Sequence, residues 1–584
     1  MDPLKTVTLD DKYTATRGTI YLSGVQALVR LPLMQRALDA AAGRHTAGFI
    51  SGYRGSPLAG FDQHLWRASP WLERAGIKFV PGLNEDLAAT AVWGSQQVGL
   101  SGDATVDGVF AMWYGKGPGV DRTGDVFKHA NAAGSSALGG VLALAGDDHA
   151  AKSSTLPHQS DFAFIDASMP VLHPAGIEDI LDLGLHGFAL SRYCGAWVGF
   201  KAITEAMDSS ATVELDPDRV TIKLPEDFTL PPGGLNIRWP DPPPEQERRL
   251  QEWKLRAAQA YVRANGLDRL VIAPPHPRFG IVAVGKAYLD VRAALVRLGL
   301  DEEACARLGL TLYKVALAWP LETEGARRFA RGLEEILVVE EKRALVEPQL
   351  RDTLYHEPAS SRPRIIGKSD ERGAPLLPVA GEVSPAMIAA VIALRLGLPP
   401  VATLPPPAPA SLERVAYFCS GCPHNSSTKL PAGSQAIAGI GCHYLATNMD
   451  RETITYTQMG GEGVPWIGRA PFTRTPHIFA NLGDGTYTHS GLLAIRAALA
   501  AGVNITYKIL FNDAVAMTGG QPIEGGPTPA QITREVAALG VKRITLVTDD
   551  PGKYARVRDL APGTEIFERH ALERVQRALR ETPG

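Results

Sequence analysis

The sequence contains little cysteine and no long apolar run, and both absences narrow the classes of protein to which it can belong. Only 5 of its 584 residues are cysteine, and three of these are crowded between Cys419 and Cys442. An odd, clustered set fits metal binding in a reducing compartment better than a disulfide framework. No apolar stretch approaches the roughly 18 residues needed to span a bilayer, and residues 1–11 lack a basic stretch followed by an apolar core. We therefore expect a cytoplasmic protein with no membrane partner.

The chain also lacks an excess of charge and the common nucleotide-binding loops. Its 59 Lys and Arg against 62 Asp and Glu give a formal net charge of -3, and no basic patch is interleaved with aromatics, so nothing favours nucleic acid. Gly367-Lys368-Ser369 has Arg362 where a P-loop needs a glycine, and no strand-linked Gly-x-Gly-x-x-Gly is evident. ATP and NAD are therefore not expected.

The length predicts several domains, because a single hydrophobic core does not grow to this size. Apolar β-rich runs alternate with helical segments such as Gly24–Ala41, which favours parallel-sheet α/β domains. A second, smaller α/β unit has predicted strands at Phe279–Val284 and Glu335–Val339. Consecutive prolines at Leu404–Pro409 predict an extended linker. The predicted segments are a first domain at 1–235, a connector at 236–270, a second domain at 271–400, a Pro-rich linker at 401–411 and a third domain at 412–584.

The most informative motif is a Gly483-Asp484-Gly485 turn that is followed, after a helical run and an apolar strand, by Asn512. Asp484 and Asn512 have the spacing of the two magnesium ligands of thiamine diphosphate enzymes. A hard cation needs oxygen ligands to bridge a diphosphate, and the glycines let the backbone approach the phosphate. Apolar runs precede both residues, so both would lie at C-terminal strand ends, where open α/β sheets bind ligands. A lone Gly-Asp-Gly is a common turn, but the pair predicts thiamine diphosphate with Mg²⁺.

Three cysteines, Cys419, Cys422 and Cys442, lie beside glycines in the same predicted domain. Thiolates are the ligands of iron–sulfur clusters, and small residues let backbone amides approach the sulfides and tune the potential. A structural zinc held by these cysteines and His424 or His443 uses equally acceptable ligands. A fourth cysteine is missing nearby, and the residues alone leave both metals open.

Four further residues stand where chemistry is plausible. Glu85 opens a helical run and could hold a proton against the pyrimidine N1′ of thiamine, although such a glutamate commonly only stabilises the helix dipole. Arg54 and Lys116 each place a cation among tight Gly-rich turns, as an anionic carboxylate substrate would require, although surface loops share this composition. His489 lies just after the Gly-Asp-Gly turn, within reach of a diphosphate.

Taken together, these motifs resemble the 2-oxoacid:ferredoxin oxidoreductases, and most closely the N-terminal, thiamine diphosphate-binding half of the long bacterial indolepyruvate ferredoxin oxidoreductases. The resemblance covers nearly the whole chain and keeps the family's order of motifs. It is carried by Ser51–Asp62, Leu83–Glu85, Trp113–Asp125, Gly146–His149, Cys419–His424, Gly439–His443 and Gly483–Gln521.

The resemblance implies a fold and a set of roles. Residues 1–235 would bind the aminopyrimidine, residues 271–400 would form a transketolase-C-like domain, and residues 412–584 would bind diphosphate and magnesium. The active site would form where the first and last domains meet, often across a dimer interface, in a homodimer or hetero-oligomer. The implied roles are cofactor activation by Glu85, magnesium binding by Asp484, Asn512 and the Ala514 carbonyl, diphosphate contacts at Gly483, Gly485, Thr518 and Gly519, and substrate positioning by Arg54 and Ser56.

The resemblance also favours a [4Fe-4S] cluster on Cys419, Cys422 and Cys442. Related proteins place the fourth ligand after the Thr-Gly-Gly-Gln segment, whereas residues 522–584 contain no cysteine. The long bacterial enzymes continue into further iron–sulfur and γ-type domains. We therefore expect this chain to correspond to the front half of such a protein or to a separate subunit, with a γ-type subunit or C-terminal domain as partner.

The implied reaction is the oxidative decarboxylation of an aryl 2-oxoacid, of the indolepyruvate or arylpyruvate type. Coenzyme A would receive the acyl group, and electrons would pass through the cluster to ferredoxin. Two alternatives stay open. One is a non-oxidative thiamine diphosphate-dependent decarboxylase or synthase whose cysteines hold zinc, and the other is a non-catalytic scaffold subunit.

Overall fold

The computed structural model describes residues 7–400, 416–516 and 519–584. Contacts divide the chain into two compact units, Met1–Pro405 and Pro406–Gly584. The predicted linker at 401–411 lies outside the described residues, and the predicted domain boundaries stay predictions. The strands of the first unit are β1 (Gly18–Ser23), β2 (Thr46–Gly52), β3 (Ile77–Phe79), β4 (Gly108–Lys116), β5 (Val141–Gly146), β6 (Val171–Leu172), β7 (Val198–Lys201), β8 (Ser210–Leu215), β9 (Arg269–Ile272), β10 (Phe279–Val284), β11 (Leu310–Val315), β12 (Leu317–Trp319), β13 (Glu335–Val339) and β14 (Arg364–Ile366).

A seven-stranded sheet in the order β12-β6-β7-β5-β4-β2-β3 forms the centre of the first unit. Its strands are parallel except β12, which runs antiparallel to β6. β4 and β5 are buried along almost their whole length, as expected for parallel strands covered on both faces. Met112 and Leu144 pack into one core and Trp113 and Ala143 into another, because successive side chains point to opposite faces.

A smaller five-stranded sheet in the order β14-β13-β10-β11-β9 follows, with β9 antiparallel to β11. Helices Lys286–Arg297 and Pro385–Leu396 cover one face, and helices Thr323–Ala330 and Val346–Leu354 cover the other. Between β11 and β13 the chain forms β12, which pairs with β6 at the edge of the seven-stranded sheet. Strands β1 and β8 pair separately as an antiparallel ribbon.

The second unit contains a four-stranded parallel sheet in the order β16-β15-β17-β18 and a parallel pair, β19-β20. The α/β class with parallel sheets flanked by helices is therefore confirmed. The strands of this unit are β15 (Ala436–Ala438), β16 (Thr453–Tyr456), β17 (Ile478–Gly483), β18 (Ile505–Leu510), β19 (Thr545–Thr548) and β20 (Glu565–Glu568).

The remaining helices cover these sheets, and none in the described part of the chain is both long and apolar enough to cross a membrane. In the first unit they are Asp11–Thr14, Gly24–Ala41, Phe61–Arg67, Ser69–Arg74, Glu85–Gln96, Gly117–Arg122, Gly124–Ala133, Asp161–Asp166, Ile177–Cys194, Thr204–Met207, Pro243–Arg249, Leu250–Lys254, Leu255–Asn265 and Glu302–Leu308. In the second unit they are His424–Ser427, Cys442–Asn448, Val464–Arg469, Ala470–Phe472, Asp484–Thr486, Tyr487–Gly491, Leu492–Ala501, Pro529–Ala538, Pro551–Tyr554, Arg569–Ala571 and Leu572–Arg580.

Candidate functional site

Asp484 lies directly after β17, at the C-terminal edge of the four-stranded sheet, and is 4% exposed. Its Oδ1 accepts a hydrogen bond from the Gly485 N–H at 2.9 Å, and its Oδ2 accepts from the N–H groups of Asn512 and Asp513 at 2.8 and 2.6 Å. Burial raises the pKa of Asp484, although these three amides oppose the rise. The Asp484 carboxylate thereby links the turn after β18 to the end of β17.

The Asn512 side chain directs one end of its amide at the Ala514 carbonyl oxygen and at Asp484 Oδ1, 3.1 Å from each. With nitrogen at that end, the amide donates to both oxygens. With oxygen there, it joins the other two in a triad of ligands. Neighbouring ligands of an octahedral Mg²⁺ at about 2.1 Å are about 3.0 Å apart. With the amide oxygen at that end, the two 3.1 Å distances match the ligand spacing of magnesium. The described residues contain no group of three or more His, Cys, Asp or Glu side chains that could hold a metal ion, and this set has only one such side chain.

Two of the glycines near these residues have backbone conformations that favour glycine. Gly519 and Gly520 have φ values of +118° and +77°, which L side chains rarely adopt. A Cβ on Gly485 would touch Val515 at 3.4 Å. The predicted diphosphate contact Thr518 lies outside the described residues.

His489 follows Asp484 on the π-helical turn Tyr487–Gly491 and is buried. Its Nδ1 lies 2.6 Å from Ser490 Oγ. π-helical turns are rare and occur frequently at functional sites. The structure therefore places His489 in the same unit as Asp484, on the element that follows it.

The three cysteines of the second unit come together from two loops. The Cys422 N–H donates to the Cys419 carbonyl at 3.0 Å, and Cys442 begins the turn that follows β15. Burial, with the nearby thiols of Cys422 and Cys419, raises the pKa of Cys442. All three are free cysteines.

The described residues do not bring these cysteines together with His424 or His443 as ligands of one ion, so the structure gives the zinc alternative no support. An iron–sulfur cluster tolerates larger distances between its cysteine sulfurs than a single zinc ion does, because each thiolate binds a different iron. A [4Fe-4S] cluster on Cys419, Cys422 and Cys442 stays a prediction.

Two buried polar side chains lie beside this edge, His443, which the sequence offered only as a zinc ligand, and Glu462, which was not singled out in the sequence. His443 lies against Gly441 and Gly483, its Nε2 has no hydrogen-bond partner, and burial lowers its pKa to about 4. Glu462, in the loop after β16, is fully buried, and burial raises its pKa to about 7. The Gly460-Gly461-Glu462-Gly463 pattern was the only sequence signal for the second residue.

Glu85 begins helix Glu85–Gln96 in the first unit and is 6% exposed. Asn84 caps this helix, because its Oδ1 accepts from the Leu87 N–H at 3.0 Å. The Trp113 Nε1–H donates to the Glu85 carbonyl oxygen at 2.9 Å. A Cβ on Gly119 would lie 2.9 Å from Glu85 Oε1, so this glycine makes room for the carboxylate.

Lys116 lies close to Glu85, at the end of β4. Burial lowers the pKa of the Lys116 ammonium, and the charges of Asp148 and Glu85 oppose the decrease. Its stem packs on Gly55, where a Cβ would lie 2.4 Å away. The structure therefore brings a cation, the predicted acid and the 51–62 loop to one place.

The loop's other predicted substrate residues have different surroundings. Arg54 is 3% exposed, and its Nε lies 3.1 Å from Asp62 Oδ2. Its guanidinium also lies 5.6 Å from the Trp66 ring centre. Ser56 is half-buried in the same loop. Arg54 is thus engaged by internal partners, and its substrate role, like that of Ser56, stays a prediction.

A model of the indolepyruvate oxidoreductase domain family matches residues 269–399, the segment that builds the five-stranded sheet. Indolepyruvate oxidoreductase subunit IorA of Methanothermobacter marburgensis is 26% identical over 557 residues, covering 92% of this chain and 82% of that protein. Subunit IorA of Pyrococcus abyssi is also 26% identical, covering 90% and 81%.

Among solved structures, 2-oxoglutarate:ferredoxin oxidoreductase from Magnetococcus marinus matches 65% of this chain and 66% of its own with 16% identity and a TM-score of 0.47. This likeness is too weak to carry an argument. The sequence relatives, which span most of both chains, carry the comparison.

Proposed function

Because this chain belongs to the 2-oxoacid:ferredoxin oxidoreductase family, we propose that it oxidatively decarboxylates an aryl 2-oxoacid of the indolepyruvate type. Coenzyme A receives the acyl group, and ferredoxin receives the electrons. The observation that carries the proposal is the convergence of the Asp484 carboxylate, the Asn512 side-chain amide and the Ala514 carbonyl oxygen at the ends of β17 and β18. It stands in a chain that aligns along 92% of its length with an indolepyruvate oxidoreductase subunit.

The triad would hold Mg²⁺ against the diphosphate of thiamine diphosphate, with Gly483, Gly485 and Gly519 leaving room for the phosphate oxygens. When bound, thiamine diphosphate supplies the electron sink that allows a 2-oxoacid to lose its carboxylate as carbon dioxide. Asp484 is suited to the metal because three amides fix its carboxylate before any ion arrives.

Glu85 would exchange a proton with the aminopyrimidine nitrogen. Its backbone is fixed by the Trp113 hydrogen bond, and Gly119 leaves room for its side chain. Lys116, whose positive charge Asp148 and Glu85 favour, would attract the substrate carboxylate. The pair thus places an acid and a cation close together.

Cys419, Cys422 and Cys442 would supply three ligands of a [4Fe-4S] cluster that passes electrons singly to ferredoxin. The fourth ligand would come from a γ-type subunit or another domain. The subunit name of the relatives supports an assembly of several chains. We propose that the chain works in a homodimer or hetero-oligomer.

Replacement of Glu85 tests the proposal. We expect Glu85→Gln to lower ferredoxin reduction with indolepyruvate, coenzyme A, thiamine diphosphate and Mg²⁺ by about 100-fold or more under anaerobic conditions. Asp86→Asn is the matched control, because Asp86 occupies the same first helical turn and pairs with Arg122 at 3.1 Å. It should keep near-normal turnover.

The same assay separates the alternatives. Carbon dioxide release without ferredoxin reduction, with the partner chain present, would indicate a non-oxidative decarboxylase or synthase. Cofactor binding without carbon dioxide release would indicate a scaffold subunit. Full activity in Glu85→Gln with normal cofactor content would show that the catalytic assignment is wrong.

A further inference from the structure

Glu462 is a fully buried carboxyl group in the second unit whose partners are incomplete. It is 0% exposed, and its Oε2 accepts from the Gly460 N–H at 2.8 Å. Its Oε1 makes no hydrogen bond of good geometry, although the Ile440 amide lies near the carboxylate. No Lys, Arg or His of the described residues forms an ion pair with it. A buried carboxylate without a counter-charge is costly, so its surroundings need an explanation.

The position of Glu462 relates it to the proposed cofactor edge. The loop that carries it follows β16, beside the ends of β15 and β17. A Cβ on Gly439, directly after β15, would lie 2.0 Å from Glu462 Oε1. The Thr486 hydroxyl, on the turn that begins with Asp484, donates to the Ile440 carbonyl at 3.1 Å. Glu462 is thus at the same C-terminal edge as the magnesium triad.

Gly460, two residues before Glu462, packs against the turn that carries His489. Gly460 has φ +86°, and a Cβ on it would lie 1.9 Å from Ser490 Oγ. That hydroxyl lies 2.6 Å from His489 Nδ1. The Glu462 loop therefore packs directly on the turn that follows Asp484. A larger residue at Gly439 or Gly460 would displace this loop.

The groups around Glu462 do not compensate a negative charge. Burial raises its pKa to about 7, against the opposing effect of its own backbone amide and those of Gly460 and Ile440. The ionisable groups of the neighbouring elements include Tyr507, whose hydroxyl donates to the Glu462 carbonyl at 2.9 Å, Tyr456 at the end of β16, Cys442 and His443 after β15, and Asp484 and His489 after β17. The nearby amides favour the charged form of the carboxylate, but no cation of the described residues neutralises it. This arrangement suits a carboxylate whose counter-charge is a bound, positively charged ligand.

We propose that Glu462 is the counter-charge for the cationic thiazolium ring of thiamine diphosphate. The inference rests on the proposed function, which brings this cofactor to the edge. The diphosphate charge is met by Mg²⁺ and the oxygen triad, whereas the ring carries a separate positive charge. A cation that enters a dry site is stabilised strongly by a fixed carboxylate. Glu462 is then a residue that selects the charged ring, in addition to the proton exchange at Glu85.

The test compares two ligands that differ in ring charge. Thiamine diphosphate has a cationic ring, and thiamine thiazolone diphosphate has a neutral ring on the same diphosphate. Calorimetric titration of the full-length protein at saturating Mg²⁺, from pH 6 to pH 8, gives the ratio of their Kd values and cancels the titration of the diphosphate. The wild type should increasingly prefer the cationic ligand as pH rises, approaching tenfold per unit below pH 7.

Glu462→Gln should abolish this pH dependence and lower the preference for the charged ring by about tenfold or more. Glu462→Asp keeps the charge and should retain part of the preference. Glu573→Gln removes an exposed carboxylate of the same unit, which pairs with Arg577, and should behave as wild type. Circular dichroism of each variant reports whether the loop change has disturbed the fold.

Three outcomes would overturn the inference. If Glu462→Gln weakens the binding of both ligands equally, Glu462 is a loop-packing residue. If the ratio of the two Kd values in the wild type is independent of pH while ferredoxin reduction is normal, the proposed function stands and this inference fails. If the wild type binds neither ligand, the proposed function and the inference fail together.

Discussion

At the residue scale, two aspartates near the proposed magnesium site differ only in how the fold holds them. Asp484 is 4% exposed and accepts three backbone hydrogen bonds. Asp513 is exposed, has φ +58°, and contributes its amide rather than its carboxylate. Only the first carboxylate is fixed in a direction that a metal ion could use.

We expect Asp484→Asn to weaken Mg²⁺-dependent binding of thiamine diphosphate by roughly 100-fold, because a charged ligand of the ion is lost. Asp513→Asn is the matched control, since asparagine tolerates positive φ well. It should bind the cofactor normally. Equilibrium dialysis at several Mg²⁺ concentrations measures both variants, and equal losses in the two would contradict the assignment of Asp484.

At the element scale, the short helix Gly117–Arg122 determines where Glu85 can stand. A Cβ on Gly119 would lie 2.7 Å from Glu85 Cγ and 2.9 Å from its Oε1. Gly124, which begins the next helix, has open space where its Cβ would be. Alanine substitutions at Gly119 and Gly124 therefore distinguish the effect of displacing the Glu85 carboxylate from the effect of helix propensity.

We expect Gly119→Ala to lower kcat roughly 10- to 100-fold, because it moves the Glu85 carboxylate away from its place. Gly124→Ala should leave kcat unchanged and keep or slightly raise the melting temperature, since alanine favours helix over glycine by up to about 1 kcal/mol. Steady-state kinetics and thermal unfolding of both variants test this. Normal kcat in Gly119→Ala would show that Glu85 is not constrained there.

A second element depends on a buried cation. Lys254, at the end of the π-helical turn Leu250–Lys254, donates to the carbonyls of Asn131 and Ala132 at 2.9 and 3.2 Å, in the last turn of helix Gly124–Ala133. Burial lowers the pKa of Lys254 to about 7. Above pH 7 the native lysine is neutral, whereas in the unfolded chain it stays protonated up to its ordinary value.

Lys254 should therefore make unfolding pH-dependent. Because the unfolded state binds more protons above pH 7, the free energy of unfolding of wild type relative to Lys254→Met should rise with pH, by up to about 1.4 kcal/mol per unit. Below pH 7 the difference should be constant. Urea unfolding of the first unit between pH 6 and pH 9 measures it, and parallel curves would show that Lys254 keeps its proton in the native state.

At the scale of the whole molecule, the number of cysteines determines what the chain can do alone. Three free cysteines lie together in the second unit, and the other two, Cys194 and Cys305, are buried in the first. A [4Fe-4S] cluster has four ligands. Under the proposed function, the fourth ligand comes from a further protein or domain, and electron transfer should depend on it.

We expect the chain purified alone without oxygen to hold iron and sulfide weakly, at fewer than four irons per chain, and to reach four when its partner chain is present. Cys422→Ala should lose this iron, whereas Cys305→Ala should keep it. Iron, sulfide and zinc analysis with a visible spectrum measures the content. Stoichiometric zinc in place of iron would show that the cluster assignment is wrong.

Much of the fold was predictable because it depends on neighbours in the chain. The predicted strands Phe279–Val284 and Glu335–Val339 and the predicted helix Gly24–Ala41 occur with those bounds. Their apolar runs and helical periodicity are local properties. The entry of β12 into the other sheet was not predictable, because a three-residue strand has no periodicity and its partner β6 is far away in sequence.

The sequence by itself determined the α/β class, the order of motifs and the positions of Asp484 and Asn512 after two strands. Residues that follow parallel strands reach the same sheet edge whatever the rest of the chain does. Only the tertiary structure decided which side chains are deprived of water and counter-charge. Glu462, His443 and Lys254 have shifted pKa values because distant segments close over them, and no local pattern records that enclosure.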